Sequence, residues 1–71
     1  MSQLTIIVNG KKTNIAEGSV LSDIVKSLEL NPERLAVELN RRIVRRADWH
    51  STTISDGDKV EIVHFVGGGK Q

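Results

Sequence analysis

Apolar and polar residues alternate over "LTIIV", so Leu4, Ile6 and Val8 fall on one face of a strand and Thr5 and Ile7 on the other. Asn9 and Gly10 follow, two residue types that accept positive φ. Their position predicts a two-residue hairpin loop, with Lys11 to Ile15 returning as an antiparallel partner. The period then changes: Leu21, Ile24, Val25 and Leu28 stand at i, i+3, i+4 and i+7, which makes one apolar stripe of a helix over 20–28, with Ser19 as its expected N-cap. Asn31 and Pro32 end that helix, because proline lacks an amide donor and moves its predecessor out of the α region.

Alternation resumes with Leu35, Val37 and Leu39 on a third strand, and a turn at Asn40 and Arg41 leads to a short fourth segment around Ile43 and Val44. Arginine at positive φ is disfavoured, so an Asn-Gly type of two-residue turn is not expected at Arg41. "ADWHSTTI" has no clear period and reads as a connection with one helical turn near Ala47 to His50. "SDGDK" is a tight turn before the last and most apolar strand, Lys59 to Phe65. Two hairpins and one helix in so short a chain imply an α+β fold, a mixed sheet of four to five strands gripping one helix. The first and last strands, being the most apolar, should lie side by side and parallel at its centre. Expected core residues are Leu21, Ile24, Val25 and Leu28 with Ile6, Val8, Val37, Leu39 and Ile62. Residues 1–66 form the domain and 67–71 a flexible tail.

The chain of 71 residues makes one small domain, close to the size below which a single core needs staples, and little of it is left to build a catalytic cleft. There is no cysteine, which removes disulfides and thiolate chemistry and is compatible with a reducing compartment. A net charge of +1 gives no strong global field, and no stretch reaches the roughly 20 apolar residues of a membrane span. A cytoplasmic protein without membrane contact is expected. His50 and His64 lack the neighbouring ligands of a metal site, so no metal is expected. Trp49 reads as a cap on the core rim. "RRIVRR" places Arg41, Arg42, Arg45 and Arg46 around a turn, but the scarcity of aromatic residues for base stacking favours a solvated or protein-facing edge over nucleic acid.

Three segments carry a resemblance: "IIVNGKK" at the start, "NPERLAVELN" after the helix and, most specifically, "DGDKVEIVHFVGGG" at the end. Together they are similar to the ThiS family of sulfur carrier proteins of thiamin thiazole biosynthesis, small β-grasp domains of ubiquitin-like fold. The resemblance implies a carrier that is the substrate of partner enzymes and holds no cofactor of its own. A ThiF-like adenylating enzyme would use ATP to activate the carboxylate of Gly69. A sulfur donor would convert it to a thiocarboxylate, and a ThiG-like thiazole synthase would accept the sulfur. Gly67 and Gly68, without side chains, suit threading into a narrow adenylation site.

The chain departs from the family pattern by continuing past the glycines. Lys70 and Gln71 hold the carbonyl of Gly69 in an ordinary peptide bond. Three readings follow: a tail-trimming protease removes them, they are additions to the natural chain, or the carrier role is lost. The strand pattern adds a docking surface. The helix can cover one face of the sheet only, so Ile7, Val63 and Phe65 on the other face are expected as an exposed apolar patch for the partners. Two alternatives stand beside the ThiS reading: a carrier like the small subunit of molybdopterin synthase, and an interaction or nucleic-acid-binding module with an inert tail.

Overall fold

A computed structural model describes residues 2–29 and 31–64. Five strands, β1 (Gln3–Val8), β2 (Lys11–Ala16), β3 (Leu35–Leu39), β4 (Arg42–Val44) and β5 (Lys59–His64), form one mixed sheet in the order β2-β1-β5-β3-β4. One α-helix, α1 (Leu21–Ser27), packs on it, and 3₁₀ turns occupy Pro32–Arg34 and Arg46–Ser51. β1 and β5 are parallel neighbours, as the apolar runs at the two ends of the chain suggest; both hairpin pairs are antiparallel. This is the expected β-grasp arrangement. Phe65 and the expected tail over 67–71 lie outside the described residues.

The first hairpin follows from Asn9 and Gly10, at φ 49° and 82°, the pair of positive values that a type I′ turn needs. That turn locks the register, with Val8 opposite Lys11 and Ile6 opposite Thr13. Leu21, Ile24 and Val25 of α1 face the sheet and close the core with Ile6, Val37, Val60 and Ile62, while Trp49 and Ile54 seal one side. Trp49 is 4% exposed, and its indole Nε1 donates to the Val44 carbonyl at 2.8 Å, so its one polar group stays bonded.

Four expectations need correcting. Ser19 does not cap α1: its hydroxyl donates to the Ala16 carbonyl at 2.7 Å, and the capping position passes to Val20. There the Asp23 carboxylate accepts from the Val20 amide at 2.9 Å, so the helix start is held from inside the first turn. Leu28 is 43% exposed rather than in the core, because α1 ends at Ser27 and the next turn swings away through Glu29 at φ 57°. Leu39 packs on the core while staying half-buried.

Arg41 is the fourth. It adopts φ 73° after Asn40 at 53°, so the two-residue turn judged unfavourable is present, between Leu39 and Arg42. The cost of a left-handed arginine, about 1–2 kcal/mol, is offset by bonds that Asn40 makes to the turn before β5. Its amide donates to the Lys59 carbonyl at 2.8 Å, its side-chain oxygen accepts from the Lys59 amide at 2.9 Å, and its side-chain nitrogen donates to the Asp58 carboxylate at 3.0 Å.

Two stability measurements check this account. Arg41→Gly relieves the left-handed strain and should raise unfolding free energy by about 0.5–1 kcal/mol. Ile24→Ala, at a site 5% exposed, should lower it by about 2–5 kcal/mol, read from denaturant midpoints at constant slope.

Candidate functional site

In the sequence the glycines follow β5, and β5 is fixed along both of its edges. Along one side, successive outward groups of β1 meet it in a continuous ladder. The Thr5 amide donates to the Asp56 carboxylate at 2.8 Å and its carbonyl accepts from Gly57 at 2.9 Å. Next, the Ile7 amide donates to the Asp58 carbonyl, and the Asn9 amide to that of Val60, both at 2.9 Å. β1 ends there, yet the ladder continues for one more step. The side chain of Asn9 accepts from the Ile62 amide at 2.7 Å and donates to the Ile62 carbonyl at 3.3 Å, copying the two groups that a further strand residue would present. On the other side β3 pairs with β5 from Val60 through His64. Both backbone edges of β5 are therefore bonded as far as Ile62, two residues short of the strand's end.

Asn9 does this because of its backbone. In the left-handed region of a type I′ turn, the short amide side chain turns back toward the neighbouring strand and reaches Ile62. The sequence shows Asn9 only as a turn former. Its second role was not visible because Ile62 lies 53 residues away.

The open face of the sheet carries the residues expected for docking. Val63 is on it and 54% exposed. Ile7 shares the face but is half-buried, and the two are not neighbours: Ile7 pairs with Lys59, so Val63 stands four residues farther along β5, about 13 Å at strand spacing. Ile43, on the short edge strand β4, is 72% exposed. It lies on the same face, since it opposes Glu38, which opposes Glu61. The open face thus presents Val63 nearest the end from which the chain leaves, Ile43 two residues back in one row with Glu38 and Glu61, and Ile7 at the far end beside Lys59. Phe65, Gly67, Gly68, Gly69, Lys70 and Gln71 lie outside the described residues.

Arg41, Arg42, Arg45 and Arg46 are all exposed around β4, at one edge of the sheet. His50 and His64 are exposed as well, and among the described residues no group of His, Cys, Asp or Glu could hold a metal ion. No described helix is long and apolar enough to cross a membrane.

A mixed sheet with its first and last strands parallel at the centre, gripping one helix, defines a β-grasp domain, and the comparisons narrow the class. The model of the ThiS family matches residues 3–69, and the chain belongs to that family. The sulfur carrier protein ThiS of Bacillus subtilis is 35% identical over 63 residues, which cover 87% of this chain and 96% of that protein. A thiazole synthase of Magnetococcus marinus is 34% identical over 67 residues, 94% of this chain but 21% of the synthase, so the chain spans about a fifth of that relative. The crystal structure of the thiamine biosynthesis protein ThiS from Geobacter metallireducens superposes with a TM-score of 0.80 at 35% identity, covering 93% of this chain and all of that one.

The Asn9 clamp can be measured directly. Asn9→Ala leaves the Ile62 amide and carbonyl without their partners and should cost about 1–3 kcal/mol. Amide exchange at Ile62 should accelerate more than at Val60, whose backbone bonds on the β1 side do not involve the Asn9 side chain.

Proposed function

We propose that this chain is a sulfur carrier of thiamin biosynthesis and that the sulfur travels as a thiocarboxylate on Gly69. The observation that carries this reading is the extent of the family match, which runs to Gly69 and leaves Lys70 and Gln71 outside it. Thiocarboxylate formation needs a free carboxylate, so Lys70 and Gln71 are removed first, by hydrolysis of the bond after Gly69. The carboxylate oxygen then attacks the α-phosphorus of ATP in a ThiF-like enzyme and pyrophosphate leaves. A sulfur nucleophile from a donor displaces AMP from the resulting mixed anhydride. The carrier supplies no general acid or base to these steps; it supplies an end that fits. Glycine suits that end because it places no β-carbon beside the carbonyl to obstruct attack.

The acceptor is a ThiG-like thiazole synthase. In support, the Magnetococcus marinus synthase contains a stretch similar to nearly all of this chain, which places carrier-like and synthase sequence in one polypeptide. Docking uses the open face of the sheet. Val63 and Ile43 are its exposed apolar residues, Ile7 lies half-buried at its far end, and Phe65 follows Val63 by two residues in the sequence. Apolar contact there holds the domain while the glycines reach into the partner's site. The molybdopterin-synthase alternative has less support, since the relatives above are ThiS proteins and a thiazole synthase.

Pyrophosphate release measured with a ThiF-like enzyme tests the reading. A chain ending at Gly69 should be adenylated and the full-length chain should not. Gly69→Val in the shortened chain should slow activation without altering its melting curve. Val63→Asp should weaken docking about tenfold or more while leaving the fold intact, because it places an unpaired charge in an apolar contact. An adenylate formed at Gln71 of the full-length chain, or no activation at either length, would overturn the assignment.

A further inference from the structure

The two edges of the sheet are built differently. β4 is three residues long and is flanked by Arg41, Arg42, Arg45 and Arg46, the charged short edge that resists pairing with another chain. β2 is six residues long and carries charge at one end only, on Lys11 and Lys12. Its backbone is exposed in a regular way. The Ile7 and Asn9 amides of β1 bond toward β5, so the even residues of β1 bond toward β2, and on β2 the residues opposite them are Lys11, Thr13 and Ile15. Lys12 and Asn14 consequently turn their amides and carbonyls outward to the free edge. Ala16 turns its amide outward too, while its carbonyl accepts from Ser19.

Beneath that edge the short α1 leaves a gap. A cavity of about 280 Å³ opens between β2 and α1, lined by Thr13, Ile15, Ile24 and Leu28 among others. It is below the roughly 300–1,000 Å³ of small-molecule sites. Thr13 and Ile15 are only half-buried, and Leu28 stands 43% exposed at its rim. A row of outward backbone groups repeating every second residue, beside an apolar groove, matches the needs of an extended peptide: main-chain bonds along the edge and alternate side chains in the groove.

We propose that β2 and its groove receive an extended segment of a partner protein as a sixth, antiparallel strand. Its alternate residues are small and aliphatic, and its C-terminal end is acidic. In the antiparallel direction that end lies over Lys11 and Lys12, whose charge complements it. This surface lies on the far side of β1 from β5 and is independent of the function proposed above.

The probe is a nine-residue peptide of alternating valine and threonine ending in two aspartates, titrated into isotope-labelled full-length protein. Amide resonances of Lys12, Asn14, Ile15 and Leu28 should shift, and cross-strand contacts should appear at Asn14. The same peptide ending in two lysines should bind about tenfold more weakly. Asn14→Pro removes the central outward donor, which an edge strand tolerates, and should reduce binding about tenfold. Should that variant unfold, Leu28→Asp at the exposed rim gives the same reading. Val63→Asp, on the open face, should bind the peptide as well as the parent does. Shifts on the open face, equal binding of the acidic and basic peptides, no shifts at millimolar peptide, or concentration-dependent self-pairing of β2 in place of peptide binding would each overturn the proposal.

Discussion

Two asparagines in left-handed turns hold the last strand, and the rest of the structure depends on that grip. Asn40 bonds the entry of β5 through Lys59 and Asp58, and Asn9 bonds it farther along through Ile62. Each reaches β5 from the turn of a different hairpin, one on either side. The central strand is thereby fixed both by the ladders and by side chains that stand in for missing backbone. The apolar residues Val60 and Ile62 can reach the core only in the register these bonds impose. A slip by one residue would turn both outward and put Glu61 inside.

The same grip explains how a domain of this size tolerates an unfavourable residue at a turn. Arg41 is left-handed without the freedom of glycine, and nothing in its own neighbourhood along the chain compensates. The compensation comes from Asn40, whose partners lie 18 and 19 residues farther on. Local propensity argued against this turn and long-range bonding overruled it, which is how tertiary context usually wins.

What could be read from the sequence was whatever is decided locally or by face. The Asn9–Gly10 hairpin was legible because its turn chemistry is complete in two residues. The helix was legible because Leu21, Ile24 and Val25 repeat at its period. The central parallel pair followed from where the apolar runs lie. Positions along a strand were not legible. Alternation places Ile7 and Val63 on one face but says nothing of how far β5 runs past β1, and the register separates the two. The face of Ile43 is not legible either, because a three-residue edge strand has too few positions for alternation to assign one. The second role of Asn9 depends on a partner at the opposite end of the sequence, and turn statistics contain no signal for it.

The parallel pairing of the first and last strands also has a temporal meaning. β1 emerges first during synthesis and has its hairpin partner within a few residues, but its other neighbour is the final element of the domain. The core therefore stays open on one side until nearly the whole domain has been made, and closing it requires contacts between its two ends. A nascent chain holding β1 to β4 has helix and hairpins but no centre to its sheet. Folding is thus completed by the strand that precedes the glycines in the sequence, and a chain broken off before β5 lacks Val60 and Ile62 and leaves the facing side of its core exposed to water.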